Sequence, residues 1–250
     1  MTTVAPSLVR IETAGRVGTI TLDRPQVHNA LNREMVAALS AACARLDDDP
    51  QIHVVTIRGE GKSFCSGLDR REPLAPDLQR LLLEGLGDRE ALYRMRKPTI
   101  AALSGAVMGA GLELALCADF LLGDDSCQFA FPEIGLGGMP GAGGTLRMAL
   151  RTRLPQAMQA CMTGRRLGAA EALAMGLLDA VHPAELLPTR VDELAQSIAA
   201  QPLAPLLLIK QSIRTLHQPL LAAAMPLQSL SSYACIVARG LPHAAAPGSG

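Results

Sequence analysis

Residues 105–120 read GAVMGAGLELALCADF, an apolar run of helix length with one carboxylate, Glu113, in its middle. If residues 109–118 are helical, the side chains next to Glu113 on its own face belong to Gly109, Ala110, Leu116 and Cys117. All four are small or apolar, whereas a solvated helix face carries charges. Because a buried carboxylate is costly without a partner, this pattern favours a functional Glu113 over an exposed one.

Runs of β-branched and apolar residues on both sides of this stretch predict strands, with Gly15 and Gly18 as turn residues at the first junction. The predicted strands are LVRIET (8–13), GTITLDRP (18–25), HVVTIRG (53–59), TIAALSG (99–105) and DFLLGD (119–124).

Helical patterns lie between and after these strands. Residues 32–50, NREMVAALSAACARLDDDP, have apolar residues at three- and four-residue spacing, with Asn32 as the expected N-cap and Pro50 at the end. The leucine-rich segment 70–97 is expected to be helical with breaks, and from about residue 155 the pattern is helical. The sequence therefore predicts an α/β core with a helical C-terminal part.

The overall composition limits the function classes. The chain has 250 residues, 49% of them hydrophobic, which suits one large domain or a domain with a smaller appendage. Twenty-three basic and 23 acidic residues cancel, so no general attraction to nucleic acid or to a membrane surface is expected. Six cysteines without a CxxC pair indicate core residues in a reducing compartment. With no secretory signal at the N-terminus, a cytoplasmic location is expected.

The sequence signatures of several common sites are absent. There is no GxSxG, HExxH or GxxxxGK[ST], no GxGxxG after a strand, and no metal-ligand spacing among the five histidines. Glu133, in CQFAFPEIGLGG (127–138), is the second candidate carboxylate. Since a glutamate after a proline is commonly a solvated turn residue, its candidacy depends on pairing with Glu113. Two carboxylates in one apolar pocket could divide the acid and base roles.

Two glycine-containing loops can supply backbone donors. In SFCSGLD (63–69) and VMGAGLE (107–113) a turn of small residues is expected to precede a helix and to leave N–H groups without helical partners. Two such groups from different loops could hold a developing enolate oxygen, although each loop by itself is equally typical of an ordinary helix cap.

Taken together, five motifs in this order and spacing resemble the enoyl-CoA hydratase/isomerase (crotonase) family, from about residue 8 to about residue 215. The matching motifs are RPQVHNAL (24–31), GKSFCSGLD (61–69), KPTIAALSGAVMGAGLELALCAD (97–119), FAFPEIGLGGMPGAGGTLR (129–147) and TGRRLGAAEALAMGLLDAV (163–181). The resemblance implies an α/β, crotonase-like fold of repeated ββα turns with a helical C-terminal region, and a thioester substrate.

By the same resemblance, the N–H groups of Leu68 and Ala110 would form an oxyanion hole. Glu113 would orient and deprotonate a water molecule, and Glu133 would deliver a proton to C2. Gly141 matches a loop glycine that helps to place the water. The positions that meet coenzyme A would be Lys62, Ser66 and Leu68, although a solvated loop lysine is nearly as good a reading of Lys62. No metal and no separate cofactor are expected, since coenzyme A is part of the substrate.

The implied activity is that of a hydro-lyase of lipid and fatty acid metabolism, which hydrates the C2=C3 bond of a 2-enoyl thioester, with enoyl-CoA giving 3-hydroxyacyl-CoA. One alternative is a hydratase/dehydratase, isomerase or decarboxylase that acts on a carrier-protein-bound acyl thioester in polyketide-type biosynthesis. Another is a non-catalytic binding subunit. The leucines of segment 70–97 are typical of a core, and as substrate contacts they would indicate an apolar acyl chain.

The expected domain organisation has two parts. Residues 1–190 form the core domain with the active site, and residues 191–250 form a shortened helical region for oligomerisation whose tail is expected to be disordered. By resemblance, the assembly would be a homotrimer or a homohexamer. The expected partners are acyl-CoA or acyl-carrier thioesters, with no nucleic acid and no membrane.

Overall fold

The computed structural model describes residues 8–69, 71 and 90–240, and within them the predicted α/β architecture is confirmed. The strands are β1 (Val9–Ala14), β2 (Val17–Leu22), β3 (Val54–Gly59), β4 (Thr99–Leu103), β5 (Ala106–Met108), β6 (Phe120–Asp124), β7 (Gln128–Ala130), β8 (Leu167–Gly168) and β9 (Ala180–His182). The helices are α1 (Arg33–Asp48), α2 (Ala91–Arg94), α3 (Ala110–Ala115), α4 (Gly144–Arg151), α5 (Leu154–Thr163), α6 (Ala169–Ala174), α7 (Leu187–Ala199), α8 (Leu203–Arg214) and α9 (Gln218–Gly240). Short 3-10 helices occupy Pro25–Val27 and Pro132–Leu136.

Two sheets share the strands. The larger has the order β1-β2-β3-β4-β6-β9, antiparallel at β1–β2 and parallel elsewhere, and the smaller has the order β5-β7-β8. The chain alternates between them, because β4 in the large sheet is followed by β5 in the small sheet and then by α3. The next strands, β6 and β7, repeat this step, as expected for repeated ββα turns.

The sheet and its helices bury two apolar clusters. On one face of the large sheet, residues of β2, β3, β4 and β6 pack against Leu187, Val191, Ala195 and Ala199 of α7. On the other face lies the main core, to which α1, α3 and the small sheet contribute. Helix α1 begins as predicted, with the Asn32 side chain accepting a hydrogen bond from the Met35 N–H at 2.9 Å. The active-site candidates lie on the main-core side.

Residues 105–120 contain a strand as well as a helix. Ala106–Met108 form strand β5, paired in parallel with β7, and only Ala110–Ala115 are helical. The turn of small residues expected before a helix in VMGAGLE is confirmed, whereas the strand before that turn was not predicted, because a short apolar run fits a buried strand and a buried helix equally well. The resulting strand-to-helix turn at Gly109 places Glu113 in the first turns of α3.

Some predictions concern residues that lie partly or wholly outside the described ones. Segment 70–97 is described only at Arg71 and from residue 90 onward, where α2 is helical and Leu92 is a fully buried core residue. The tail after residue 240 lies outside them too. Helix α7 spans the expected boundary at 190, and the division into two domains stays a prediction.

Candidate active site

Glu113 is buried, as its apolar neighbours predict, with 2% of its surface exposed. Its Oε1 atom accepts hydrogen bonds from the backbone N–H of Ala142, at 2.7 Å, and of Gly144, at 3.1 Å. Both donors precede or begin α4, 29 and 31 residues further along the chain. Two backbone donors on one oxygen compensate for the lost hydration of the carboxylate and fix its direction.

Glu133 lies close to the N-terminal end of α3, the helix that contains Glu113. It belongs to the 3-10 helix Pro132–Leu136 and is half-buried. Its Oε1 atom lies 2.5 Å from the point where a β-carbon on Gly109 would stand. Gly109 has φ 50° and ψ −123°, a conformation that residues with a β-carbon avoid, and it directly precedes α3. The structure therefore brings both predicted carboxylates to the N-terminal end of α3.

The two glycine-containing loops meet at this end of the helix. Cys65 exchanges hydrogen bonds with β5, donating to the Ala106 carbonyl and accepting from the Met108 N–H, each at 3.0 Å. A β-carbon on Gly111 would lie 2.3 Å from the Cys65 carbonyl oxygen, so only glycine permits this approach. Among the hydrogen bonds of the described residues, none uses the N–H of Leu68 or that of Ala110. Both groups are therefore available as donors.

The motif RPQVHNAL holds the first of these loops. The Leu31 N–H donates to the Gly67 carbonyl at 2.8 Å, which fixes the residue before Leu68. The fully buried Asn29 donates from Nδ2 to the carbonyls of Glu60, at 2.9 Å, and Ser63, at 2.7 Å. This motif thus acts as a scaffold for the backbone around Leu68.

Asp69 anchors the other side of Leu68. Its carboxylate accepts hydrogen bonds from Arg71 and, at 3.0 Å, from Arg24. Hydrogen bonding to Arg71 and, to a lesser extent, Arg24 holds the pKa of Asp69 well below its usual range. Its backbone N–H donates to the Leu31 carbonyl at 2.9 Å, so Leu68 lies between two fixed residues.

Arg147 is a buried residue that the sequence reasoning did not identify. Its Nη1 donates to the Ala142 carbonyl at 2.6 Å, and its Nη2 bonds Glu90. The guanidinium lies over the Tyr93 ring at 4.6 Å. Arg147 thus holds the residue whose N–H binds Glu113. The ion pair that helps to keep Arg147 in place joins it to Glu90, 57 residues earlier, and no local pattern reports that contact.

The remaining predicted positions are Ser66, Gly141 and Lys62. Ser66 donates from its backbone to the His28 carbonyl at 2.9 Å and from Oγ to the Val27 carbonyl at 3.3 Å. Gly141 directly precedes Ala142, and its carbonyl accepts from Ser229 Oγ at 3.4 Å. Lys62 lines a groove of about 830 Å³ whose walls include neither Glu113 nor Glu133. The contact of Lys62 with coenzyme A stays a prediction.

Three further properties of the described residues concern disulfide bonds, metal-binding groups and membrane-spanning helices. The six cysteines all lie within the described residues and form no disulfide bond, and burial raises the pKa of Cys65 and of Cys127 to about 12. Across the described ranges, no three His, Cys, Asp or Glu side chains form a group that could hold a metal ion. Within the same ranges, no helix has the length and apolar character needed to cross a membrane.

The fold has two sheets, repeated ββα turns and two carboxylates beside the N-terminal end of α3. These are the features of a crotonase-like α/β protein. The family model described as "Enoyl-CoA hydratase/isomerase" matches residues 12–233. This chain belongs to the enoyl-CoA hydratase/isomerase family.

Individual relatives agree with this membership. The chain is 37% identical to a "Probable enoyl-CoA hydratase" of Rhizobium meliloti (strain 1021) over 81% of its own length and 79% of that protein. It is 39% identical to a "Carnitinyl-CoA dehydratase" of Proteus mirabilis (strain HI4320), over 76% of this chain and 74% of the relative. The solved structure of an enoyl-CoA hydratase from Mycobacterium avium superposes with a TM-score of 0.83 at 28% identity, covering 93% and 99% of the two chains.

Proposed function

We propose that this protein adds water across the C2=C3 bond of a 2-enoyl thioester, with enoyl-CoA giving 3-hydroxyacyl-CoA. The observation that carries the proposal is the approach of Glu133 to Gly109, one turn before the buried Glu113. It supports two carboxylates acting on opposite ends of one double bond, because each hydration needs one group to accept a proton and another to donate one.

The proposed reaction starts with a water molecule held by Glu113. Its Oε1 is fixed by the N–H groups of Ala142 and Gly144, so the carboxylate has a set direction in which to accept the proton of the water. The hydroxide adds to C3 as the water loses that proton. Gly141, beside Ala142, would help to place the water.

Negative charge then develops on the thioester carbonyl oxygen. The N–H groups of Leu68 and Ala110 would donate to this enolate oxygen, and preorganised donors of this kind stabilise the transition state without a metal. A protonated Glu133 delivers its proton to C2, which completes the addition of water. Lys62, Ser66 and Leu68 would contact the coenzyme A moiety.

The same groups can catalyse the reverse reaction, since each proton transfer is reversible. The similarity to a protein described as "Carnitinyl-CoA dehydratase" keeps dehydration as a second candidate. Carrier-bound thioesters are the other substrate class to test, because a phosphopantetheine arm needs no pocket for the adenine of coenzyme A.

A homotrimer or homohexamer is part of the proposal, as is a cytoplasmic role in fatty acid metabolism. Support for assembly comes from large apolar side chains that α8, α9 and the turn between them expose: Leu208, Ile209, Ile213, Leu216, Leu220, Leu227 and Leu230. Exposed apolar surface of this extent marks interaction sites. Light scattering should give a mass of three or six chains, and a monomer at micromolar concentration would contradict the assembly.

The experiment that tests the function follows the loss of enoyl-thioester absorbance with purified protein. The panel contains 2-enoyl-CoA substrates of increasing chain length and the same acyl groups on a carrier protein, with 3-hydroxyacyl thioesters to test dehydration. Hydration of at least one enoyl-CoA is expected. Turnover of carrier-bound substrates alone would support the alternative, and no turnover of any member would contradict the enzymatic role.

A further inference from the structure

Helix α9 contacts the loop of residues 138–144, whose Ala142 and Gly144 N–H groups bind Glu113. Gln228 Nε2 donates to the Pro140 carbonyl at 3.0 Å, and Ser232 Oγ donates to the Met139 carbonyl at 3.1 Å. Gln228 and Ser232 are four residues apart and therefore lie on one face of the helix. Their acceptors directly precede Gly141 and Ala142.

This contact is buried at its centre. Gln228 is 5% exposed, although α9 is otherwise largely exposed. Met225, three residues earlier on the same face, has its Sδ atom 3.0 Å from the point where a β-carbon on Gly143 would stand. Side chains from one helix face therefore contact the loop along residues 139–143.

The loop needs external support for a physical reason. Residues 138–144 read GMPGAGG, and glycine loses more backbone freedom on ordering than any other residue. The same loop must nevertheless hold two N–H groups at hydrogen-bond distance from Glu113 Oε1. Fixing its carbonyls at one end restricts the amides at the other.

We propose that α9 is a positioning element for the catalytic carboxylate, and that Gln228 and Ser232 are its positioning residues. This inference rests on the proposed hydration. Neither side chain bonds Glu113, and both act through the backbone of residues 139–144. Loss of these bonds lets the Ala142 and Gly144 amides move. The Glu113 carboxylate is then misoriented relative to the water for part of the time.

The test compares Gln228→Met, Ser232→Ala and the double variant with wild type. Misplacement of a catalytic group by about 1 Å can cost about a hundredfold in rate. We expect kcat to fall about tenfold in each single variant and approaching a hundredfold in the double variant, with KM within about twofold. Ser232→Thr keeps the hydroxyl and should restore most of the rate. Gln218→Met, at the exposed start of α9, is the matched control.

A second measurement does not depend on activity. Hydrogen exchange of the Ala142 and Gly144 amides should be faster in the double variant than in wild type and the control. Unchanged exchange and unchanged kcat in a folded double variant would overturn the inference. If wild type hydrates no enoyl thioester, the proposed function fails instead, while the exchange comparison still tests whether α9 holds the loop.

Discussion

The guanidinium of Arg147 donates to the carbonyl of Ala142 at 2.6 Å, and the N–H of the same Ala142 donates to Glu113 at 2.7 Å. One residue of the loop is thus held on both sides, by a buried cation and by the candidate catalytic carboxylate. The buried position of Arg147 is maintained by Glu90 and by the ring of Tyr93.

Replacement of this arginine should impair both stability and catalysis. Arg147→Met is expected to lower the free energy of unfolding by about 1–3 kcal/mol, because it leaves the partly buried Glu90 without its partner. It should also lower kcat by at least tenfold, because Ala142 is released. Urea denaturation and steady-state kinetics measure the two effects. Adding Glu90→Gln should recover stability but not kcat, and recovery of both would contradict a role in positioning.

A second prediction concerns the backbone donor at Leu68. Leu68→Pro removes the N–H, whereas Leu68→Ala keeps it and shortens a side chain that is 38% exposed. Loss of one oxyanion donor typically costs about a hundred- to a thousandfold in rate, so kcat should fall by about that factor in the proline variant only. Steady-state kinetics measures kcat in both variants, and thermal melting checks that both variants fold. Equal kcat values in the two variants would show that the Leu68 N–H is not an oxyanion-hole donor.

Gly109 provides a third prediction. A β-carbon at this position would displace the Glu133 carboxylate, and the backbone conformation is one that only glycine adopts readily. Gly109→Ala should therefore lower kcat about a hundredfold or more and reduce the melting temperature moderately. Gly135→Ala is the matched control, because nothing lies within 4 Å of its added carbon. A normal kcat in Gly109→Ala would show that Glu133 does not act from its present position.

A fourth prediction follows from Lys210, which attaches α8 to the core. Its Nζ bonds Asp119 at 2.7 Å and the Lys97 carbonyl at 2.6 Å. Burial lowers the pKa of Lys210 from 10.5 to about 8, although Asp119 opposes the shift. Between these pH values the unfolded chain binds a proton that the folded chain lacks, so raising the pH favours folding.

The contribution of Lys210 is isolated by difference. The free energy of unfolding of wild type minus that of Lys210→Met should rise from pH 8 towards pH 10.5, as measured by urea denaturation at several pH values. Taking the difference cancels the opposing effect of the buried cysteines, whose raised pKa values act in both proteins. A flat or falling difference would contradict the lowered pKa.

The features that could be predicted from the sequence are those encoded locally or shared across the family. The strand at 54–59 and the helix capped by Asn32 follow from short-range patterns, and each was confirmed within a few residues. The burial of Glu113 follows from its apolar neighbours on one helix face. The pairing of Glu113 with Glu133 rested on the family resemblance as well as on the residues.

The rest depends on contacts between distant parts of the chain. Arg147 and Glu90 are 57 residues apart, and Gln228 and Pro140 are 88 residues apart, so no local periodicity reports them. Strand β5 was missed for a related reason, since its three residues are identified as a strand only by pairing with β7. The contacts that hold the loop of residues 138–144 against Glu113 were therefore the part of the candidate site that sequence reasoning did not find.

The most direct test of the central claim is the rate of enoyl-thioester hydration in Glu113→Gln and Glu133→Gln, measured by absorbance beside wild type. General acid and base groups typically contribute about a hundred- to ten-thousandfold each, and both substitutions are therefore expected to abolish detectable hydration while the circular dichroism spectrum remains that of wild type. Full activity in either variant would contradict the two-carboxylate mechanism.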